Sequence, residues 1–343
     1  MALNDTPLFT IITVTHSRFD FLRQALKEIM GQTYKNLEII VVNSGATQEI
    51  IDYLIDTKVS DDRIKIVHFK ENQYSDDDPL AVARVCFNAA LEIATGNYVF
   101  YQSDDDLIAN DYVEKMVKLF KDDPDCTSAA GFVKCMDGTG RLLDEGPRAT
   151  DYRPRYMPGH LLALNKLCEG EYGNDVLFNA PGTIFTFKRE DLVKAGGYHM
   201  AVELSHLYGI VPFGITGFDE TAFLYWRRHK DQANLKILAV GHVGTVESVS
   251  LIKDWQIEGR WQVFGKDIAR YVVRRMLENA YAWAGYWFVV SVYHFRFKAA
   301  LRMLKDAGRS FYFWRKLPAL LWIEKKQFWW YLRPKLQGIR GSL

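Results

Sequence analysis

Three consecutive carboxylates, Asp104, Asp105 and Asp106, have the clearest capacity for chemistry in this chain. They follow Tyr98–Tyr101, an apolar run that predicts a short buried strand. Adjacent carboxylates repel one another, so a fold that gathers them at a strand end gains by holding a cation, and hard ions such as Mg²⁺ or Mn²⁺ prefer oxygen ligands. A helical pattern begins near Asn110, and the alternative is that the acids stabilise a helix N-terminus.

The elements that must position these acids alternate between strand and helix. Apolar runs at 9–15, 37–42, 64–69 and 98–101 predict strands, and helical stripes at 21–30, 47–58 and 79–95 separate them. This alternation predicts an α/β fold with a doubly wound, mainly parallel, Rossmann-like sheet. Ligands of such sheets bind outside the carboxyl ends of the strands, which is where the acids fall. No GxGxxG follows the first strand and no GxxxxGK[ST] occurs, which disfavours dinucleotide dehydrogenases and P-loop NTPases.

The composition is that of a globular protein: 48% of the 343 residues are hydrophobic and 25% are charged. The four cysteines lack metal-site spacing and are expected to be reduced, structural and cytosolic. We see no signal sequence at the N-terminus, and the longest apolar run, Ala280–Tyr293, is too short to span a bilayer.

Charge divides the chain into two parts. Residues 251–343 carry 18 Lys/Arg against 6 Asp/Glu, residues 1–250 carry 25 against 36, and eight of the nine tryptophans follow residue 250. Such a split usually separates two roles. We therefore expect a catalytic domain at 1–250 and a helical, basic, Trp-rich region at 251–343.

Specific motifs in the first part resemble the family 2 glycosyltransferases of the GT-A fold. They are the strand ending in His16-Ser17-Arg18, the stretch Gln32-Thr33-Tyr34-Lys35-Asn36-Leu37-Glu38-Ile39-Ile40-Val41-Val42, and the helix, glycine and strand that lead from Asn88 into Asp106. The resemblance is close over 7–125 and looser to about 250. It implies a nucleotide-sugar half at 1–125, an acceptor half at 126–250, and transfer of a sugar from a metal-bound nucleotide diphosphate sugar with inversion.

The resemblance also implies donor-binding residues, with departures from the family pattern. His16-Ser17 replaces Tyr-Asn, Asn43-Ser44 replaces Asp-Asp, and the first acid of the Asp-x-Asp motif is Ser103. The second acid falls on Asp105, the favoured metal ligand, with Asp106 beside it. The expected nucleotide-sugar contacts are Thr15, Ser17, Arg18, Asn43, Ser44, Arg84, Ser103 and Asp104. For Arg84 the alternative is a solvated helix arginine.

On the acceptor side, the stretch that begins Gly217-Phe218-Asp219-Glu220 and ends at Arg227 is similar to the start of the family's helix that carries the base, with the two acids in swapped order. Inverting transfer needs one general base to deprotonate the acceptor hydroxyl. Glu220 or Asp219 is expected to serve, the alternative being helix capping. His242 follows a late strand pattern and resembles the family's histidine that reaches the metal or the diphosphate, which makes it an expected metal ligand; the alternative is a structural histidine.

Near the C-terminus, residues 309–343 interleave aromatic and cationic side chains. This pattern is typical of the interface of an anionic membrane, and the alternative is a core helix. Ala280–Tyr293 is apolar nearly all round and is expected to pack on the catalytic domain or on another subunit of a homo-oligomer. An acidic catalytic face disfavours nucleic acid.

The sequence thus predicts a cytoplasmic enzyme at the inner face of the cell membrane. It would use Mn²⁺ or Mg²⁺ to move a sugar from a nucleotide diphosphate sugar to a hydroxyl of a glycan or lipid-linked acceptor, in polysaccharide or lipopolysaccharide biosynthesis. Two alternatives stay open. One is a degenerate transferase that serves as a scaffold or sugar-binding module, and the other is a sugar-nucleotide pyrophosphorylase.

Overall fold

A computed structural model of the chain describes residues 6–74, 81–144, 154–169, 184–198, 204–229, 245–293 and 297–315. It divides into two compact units, Met1–Gln232 and Ala233–Leu343. The first carries the sheet, and the second is helical in its described residues.

The predicted strand and helix alternation is confirmed in the first unit. Strands β1 (Phe9–Thr15), β2 (Leu37–Ser44), β3 (Ile64–Phe69) and β4 (Tyr98–Tyr101) pair in parallel in the order β3-β2-β1-β4. Helices α1 (Phe19–Met30), α2 (Gln48–Ser60) and α3 (Ala81–Ile93) lie between them in sequence. Every residue of β2 and β4 is buried, which is the reason these strands are apolar along most of their length.

The sheet then continues through later and mostly antiparallel pairings. It runs from β4 through β8 (Phe185–Lys188), β6 (Cys126–Asp137) and β9 (Ile215–Arg228) to β5 (Leu107–Ile108), and β7 (Tyr156–Pro158) also pairs with β9. β6 and β9 are parallel, whereas β4 with β8, β6 with β8, and β5 and β7 with β9 are antiparallel. The helices of this half are α4 (Tyr112–Asp122), α5 (Gly159–Glu169) and α6 (Arg189–Lys194).

One long strand replaces a predicted helix. The sequence predicted a helix start at Asp219-Glu220, and this is wrong, because both residues lie within β9. The register with β6 shifts from Ala130↔Phe218 to Phe132↔Phe223, so four residues of β9 face Gly131 alone. A side chain at Gly131 would collide with the carbonyl of Ala222, so the glycine permits this bulge.

The described residues of the second unit form helices α7 (Thr245–Glu258), α8 (Lys266–Tyr293), α9 (Phe297–Ala307) and α10 (Phe311–Arg315), with a short turn at Arg260–Phe264. The apolar run at 280–293 forms the end of α8. Its Ala284 and Val289 share a buried cluster with Ala307 of α9 and Phe313 of α10. Ala284 and Val289 of the run are therefore buried against helices of their own unit. In the part of the chain that the structure describes, no helix combines the length and apolar character needed to cross a membrane.

Candidate active site

The acids lie where two neighbouring parallel strands end. β1 pairs with β2 on one side and with β4 on the other, so the strand order changes direction there. Loops that follow such strands diverge and leave a crevice at the carboxyl edge of the sheet. Arg18 follows β1, and the three aspartates follow β4.

The chain after β4 makes a tight turn that buries all three aspartates. The amide of Asp106 donates to the carbonyl of Ser103 at 3.3 Å, and Gln102 Nε2 donates to the carbonyl of Asp106 at 3.0 Å. Asp104, Asp105 and Asp106 are 1%, 7% and 5% exposed, whereas Ser103 faces solvent. The residue that departs from the family pattern therefore lies at the rim of the turn.

Arg18 provides the cation that these acids meet. Its guanidinium donates through Nη2 to Asp104 Oδ1 and through Nη1 to Asp105 Oδ2. Burial would lower the pKa of Arg18, but Asp104 and Asp105 together raise it above its ordinary value. The side chain is still 27% exposed, so one end of this ion-pair network reaches the crevice.

Arg227 and His229, at the end of β9, also contact the acids, and these contacts were not predicted from the sequence. The amide of Arg227 donates to Asp106 Oδ1 at 2.9 Å, and its Nε donates to the carbonyl of Asp105 at 2.7 Å. His229 Nε2 lies 2.9 Å from Asp105 Oδ2. Arg227 ends the stretch that resembles the family pattern, which was a signal for it. His229 had no comparable signal.

Burial has the largest effect on the pKa values of Asp104 and Asp106. It raises the pKa of Asp104 to about 6, with the Asp105 carboxylate adding to the rise and Arg18 opposing it. Burial and Asp105 also hold the pKa of Asp106 well above its ordinary value. Removing carboxylates from water disfavours their charged form, and the surrounding cations compensate in part.

Asn43 and Ser44 lie at the end of β2, buried among polar partners. Asn43 Nδ2 is 2.8 Å from His68 Nδ1, and Asn43 Oδ1 accepts from the amide of Ala46 at 2.7 Å. Ser44 Oγ accepts from the amide of Gln73 at 3.0 Å, and the Ser44 carbonyl lies 2.8 Å from His16 Nδ1. This network extends the polar edge from β1 to the loop after β3.

The other predicted donor contacts are spread around this edge. Thr15 is the buried last residue of β1, and Ser17 is exposed in the loop that follows. Arg84 lies near the start of α3, half-buried, one turn before Asn88. Asn88 Nδ2 donates to the carbonyl of Tyr198 at 3.0 Å, and its Oδ1 accepts from the Tyr198 amide at 2.8 Å. Of these predicted donor contacts, the structure brings Arg18 into direct contact with the acids.

The predicted base residues lie further along β9. Phe223 lies four positions before Arg227 along the strand, or about 13 Å away, and Asp219 and Glu220 precede Phe223 in the bulge. Asp219 Oδ1 accepts from Thr221 Oγ1 at 2.6 Å and from its amide at 2.9 Å. Glu220 is more exposed than Asp219, and no hydrogen bond to its carboxylate occurs among the described residues. The structure does not bring this pair into contact with the aspartates.

The remaining predicted ligand, His242, lies outside the described residues. Within them, no group of three or more His, Cys, Asp or Glu side chains is arranged to hold a metal ion. The chemistry of the donors at the acid turn nevertheless fits a hard divalent cation. Asp104 and Asp105 offer carboxylate oxygens, Asp104 Oδ2 receives no hydrogen bond from a described residue, and Arg18 lies where a cation would bind.

The chain is similar in sequence to known glycosyltransferases. A family model described as glycosyl transferase family 2 matches residues 10–192, more than half of the chain. The glycosyltransferase EpsH of Bacillus subtilis is 23% identical over 295 residues, which cover 76% of this chain and 81% of EpsH. An uncharacterized glycosyltransferase of Haemophilus influenzae is 32% identical over 166 residues, 48% of this chain and 63% of that protein.

Solved structures share the fold at low sequence identity. The mannosyltransferase PcManGT from Pyrobaculum calidifontis, in complex with GDP-Man and Mn²⁺, matches with a TM-score of 0.51 at 18% identity over 94% of this chain and 87% of that one. S. aureus TarS 1–349 in complex with UDP-GlcNAc matches with a TM-score of 0.51 at 10% identity, over 86% of this chain and 89% of that one. At these identities the likeness shows the fold.

Proposed function

Because the chain belongs to glycosyl transferase family 2, whose GT-A fold it shares, we propose that it transfers a sugar, with inversion, from a nucleotide diphosphate sugar to a hydroxyl of a glycan or lipid-linked acceptor. The observation that carries the proposal is the meeting of Arg18 with Asp104 and Asp105 at the carboxyl ends of β1 and β4. A solvent-accessible cation and buried acids at this edge suit a diphosphate and its counter-ion.

On the donor side, Arg18 is the group that meets the diphosphate. A guanidinium presents a planar set of donors that matches phosphate oxygens, and its charge is permanent. Asp104 and Asp105, with His229 behind Asp105, would hold a Mn²⁺ or Mg²⁺ ion. When bound, such an ion supplies Lewis-acid stabilisation of the departing diphosphate.

On the acceptor side, Glu220 is the better of the two candidate bases. Asp219 is held by Thr221 and lies 3.7 Å from Arg155 Nη1, so it shapes the bulge. The Glu220 carboxylate is exposed and makes no hydrogen bond among the described residues. It is therefore available to accept a proton from an acceptor hydroxyl, once the acceptor lies between the bulge and the donor.

Sugar transfer from a donor panel tests this function. UDP- and GDP-sugars are incubated with Mn²⁺ or Mg²⁺ and glycan or lipid-linked acceptors, and the product's anomeric configuration is read by NMR. Asp105→Asn should abolish transfer, and Glu220→Gln should lower kcat by about 10²- to 10⁴-fold. Asp56→Asn, which changes an exposed acid of α2, is the matched control.

The same panel separates the alternatives. A scaffold or sugar-binding module would bind a donor without turnover in any acceptor mixture. A pyrophosphorylase would release a sugar 1-phosphate when supplied with pyrophosphate. Retention of the donor's anomeric configuration in the product would contradict the single-displacement mechanism.

We further propose that the second unit binds an anionic membrane. In α9, Phe297 and Leu301 share a face, one turn apart, and are 65% and 68% exposed, while Phe311 at the start of α10 is 72% exposed. Residues 297–315 carry five Lys/Arg and one Asp, so cations surround these apolar side chains. Apolar side chains among cations suit the interface of a bilayer with anionic lipids. The rest of the predicted tail, 316–343, lies outside the described residues.

Vesicle flotation tests this proposal. The intact chain should float with phosphatidylglycerol vesicles and less with phosphatidylcholine vesicles. Phe297→Ser combined with Leu301→Ser should weaken binding at least about tenfold, since each side chain would lose its insertion into the acyl boundary. Val59→Ser on α2, where the valine is 84% exposed, is the control. Equal flotation of all three proteins would contradict the proposal.

A further inference from the structure

Arg18 occupies the position that a divalent cation would take. Its two terminal nitrogens bind one oxygen of Asp104 and one of Asp105. Asp106 Oδ1 instead accepts a hydrogen bond from the amide of Arg227. Among the described residues, the guanidinium of Arg18 thus bridges Asp104 and Asp105, the two carboxylates that would be left to bind a metal ion.

The same two carboxylates cannot hold Arg18 and a metal ion in these positions. A divalent cation binds carboxylate oxygens at about 2.0–2.6 Å and repels a guanidinium in direct contact with them. The buried Asp104 Oδ2 accepts no hydrogen bond from the described residues, so Arg18 leaves this carboxylate incompletely satisfied. The guanidinium therefore acts as a substitute cation that covers part of the ligand set.

The side chain of Arg18 is also able to move away from Asp104 and Asp105. It precedes α1 in the loop after β1, its side chain is 27% exposed, and its described ion pairs are those with Asp104 and Asp105. Arg227, by contrast, is fully buried and is fixed through hydrogen bonds to Gln24 and to the carbonyl of Asp105. Of the two arginines at the acids, Arg18 is the one that can turn toward a ligand in the crevice.

We infer that Arg18 and the divalent cation compete for Asp104 and Asp105, and that the diphosphate of the donor resolves the competition by drawing Arg18 away. Metal binding then depends on the presence of donor, and the free enzyme has little affinity for the ion. This rests on the proposed function, because it takes the ligand to be a nucleotide diphosphate. Arg18 then has a positioning role besides its contact with the phosphate, because its place decides whether Asp104 and Asp105 can bind the metal ion. The coupling is reciprocal: the donor raises the affinity for the metal by the same factor as the metal raises the affinity for the donor.

Mn²⁺ binding in the absence of nucleotide tests the competition. Free Mn²⁺ is followed by electron paramagnetic resonance as each protein is titrated. The wild-type protein should bind Mn²⁺ weakly, and Arg18→Gln should bind it about 5- to 150-fold more tightly, the usual range of such couplings. Arg23→Gln, which changes an exposed arginine on α1 that stacks over Phe19, should match the wild type.

A second variant keeps the test decisive if Arg18→Gln folds poorly by circular dichroism. Arg18→Lys retains the charge, but a single ammonium cannot present the fork that bridges both carboxylates. Its Mn²⁺ affinity should lie between those of the wild type and Arg18→Gln. Calorimetry with UDP and GDP in EDTA provides the complementary measurement: metal-free diphosphate binding should be present in the wild type and lost in Arg18→Gln.

The inference is overturned if Arg18→Gln and Arg18→Lys bind Mn²⁺ no more tightly than the wild type, or if none of the proteins binds it. Sugar transfer in the donor panel could still succeed in either case, so this failure is distinct from failure of the proposed function. Conversely, tighter Mn²⁺ binding by Arg18→Gln would support the competition even if every donor in the panel were the wrong one.

Discussion

A buried glutamate in the parallel part of the sheet allows a quantitative prediction of the free energy of unfolding. Glu38, on β2, is 4% exposed and is the hub of a polar cluster. Its carboxylate accepts from Thr10 Oγ1 at 2.6 Å, from Lys65 Nζ at 2.5 Å, and from the amide and hydroxyl of Thr95 at 2.8 and 2.7 Å. These bonds join β1, β2, β3 and the segment after α3. Replacing Glu38 with Gln keeps the volume but removes the charge and part of the acceptor capacity.

The magnitude follows from the pKa of this group. Burial raises the pKa of Glu38, but the hydrogen bonds from Lys65, Thr10 and Thr95 outweigh it and lower the pKa from 4.5 to about 2. At about 1.4 kcal/mol per pKa unit, the ionised glutamate contributes at most about 3 kcal/mol to the free energy of unfolding. Since the folded pKa is lower than the unfolded one, this contribution is present above about pH 4.5 and is lost as the pH falls toward 2.

Urea unfolding at a series of pH values measures this contribution. At pH 7, Glu38→Gln should lower the free energy of unfolding by about 2–3 kcal/mol, and the difference from wild type should shrink to roughly 2 kcal/mol at pH 3.5 and below 1 kcal/mol at pH 2.5. Glu92→Gln, at an exposed site on α3, corrects for the change in net charge. A difference between wild type and Glu38→Gln that did not vary with pH would refute the reasoning.

Two further substitutions test how β9 is held. Gly131→Ala should lower the free energy of unfolding by about 1–3 kcal/mol, since its methyl group would meet the carbonyl of Ala222, whereas Gly138→Ala, whose methyl would lie 3.7 Å from the nearest atom, should be close to neutral. Arg227→Met should cost about 3 kcal/mol, because it removes a buried charge that faces buried acids, while Arg228→Met on the exposed side of the same strand should change stability by less than about 0.5 kcal/mol. Chemical unfolding measures both pairs, and equal losses in either pair would contradict the roles given to Gly131 and Arg227.

The sequence predicted the first half of the fold well, because its strands are apolar along most of their length and glycines and polar clusters end them. Phe9–Thr15, Ile64–Phe69 and Tyr98–Tyr101 occur as predicted. The acid turn was also predictable, since three adjacent carboxylates cannot continue a buried strand and so mark its end. That Arg18 would contact these acids was not predicted. The parallel pairing of β1 and β4 brings together residues 86 positions apart.

β9 was misread because its sequence supports two interpretations. An acid pair before apolar residues resembles a helix start, and the stretch Phe223-Leu224-Tyr225-Trp226 suits either a buried helix or a strand. The choice is made by pairing partners far away: β6, which contributes Gly131, and β5, whose Leu107 pairs with Tyr225. β9 is the element that brings Arg227 and His229 to the acids. Their contacts with the acids therefore could not be predicted from the local sequence.

The motif that most closely resembles the family has a structural role. Gln32 Nε2 donates to the carbonyl of Ala109 at 2.8 Å and its Oε1 accepts from the amide of Val113, so it ties the end of α1 to the start of α4. Asn36 Nδ2 donates to the carbonyl of Thr6 at 2.6 Å, and Glu38 joins three strands. These side chains hold main-chain segments in place. The motif therefore indicates the fold and does not indicate which donor is bound.

The features that would set donor preference lie elsewhere, at the edge where this chain departs from the family. Asn43 and Ser44 are buried, and their polar atoms are engaged with His68, Ala46 and Gln73. A nucleobase would therefore meet the outer members of this network, and His68 is exposed. Replacing the family's acids by Asn43-Ser44 removes charge from this edge and leaves its recognition to neutral hydrogen bonds and to the histidine. Under the proposed function, the charged contacts that the described residues offer to a donor would then be those of its diphosphate with Arg18 and the acid turn.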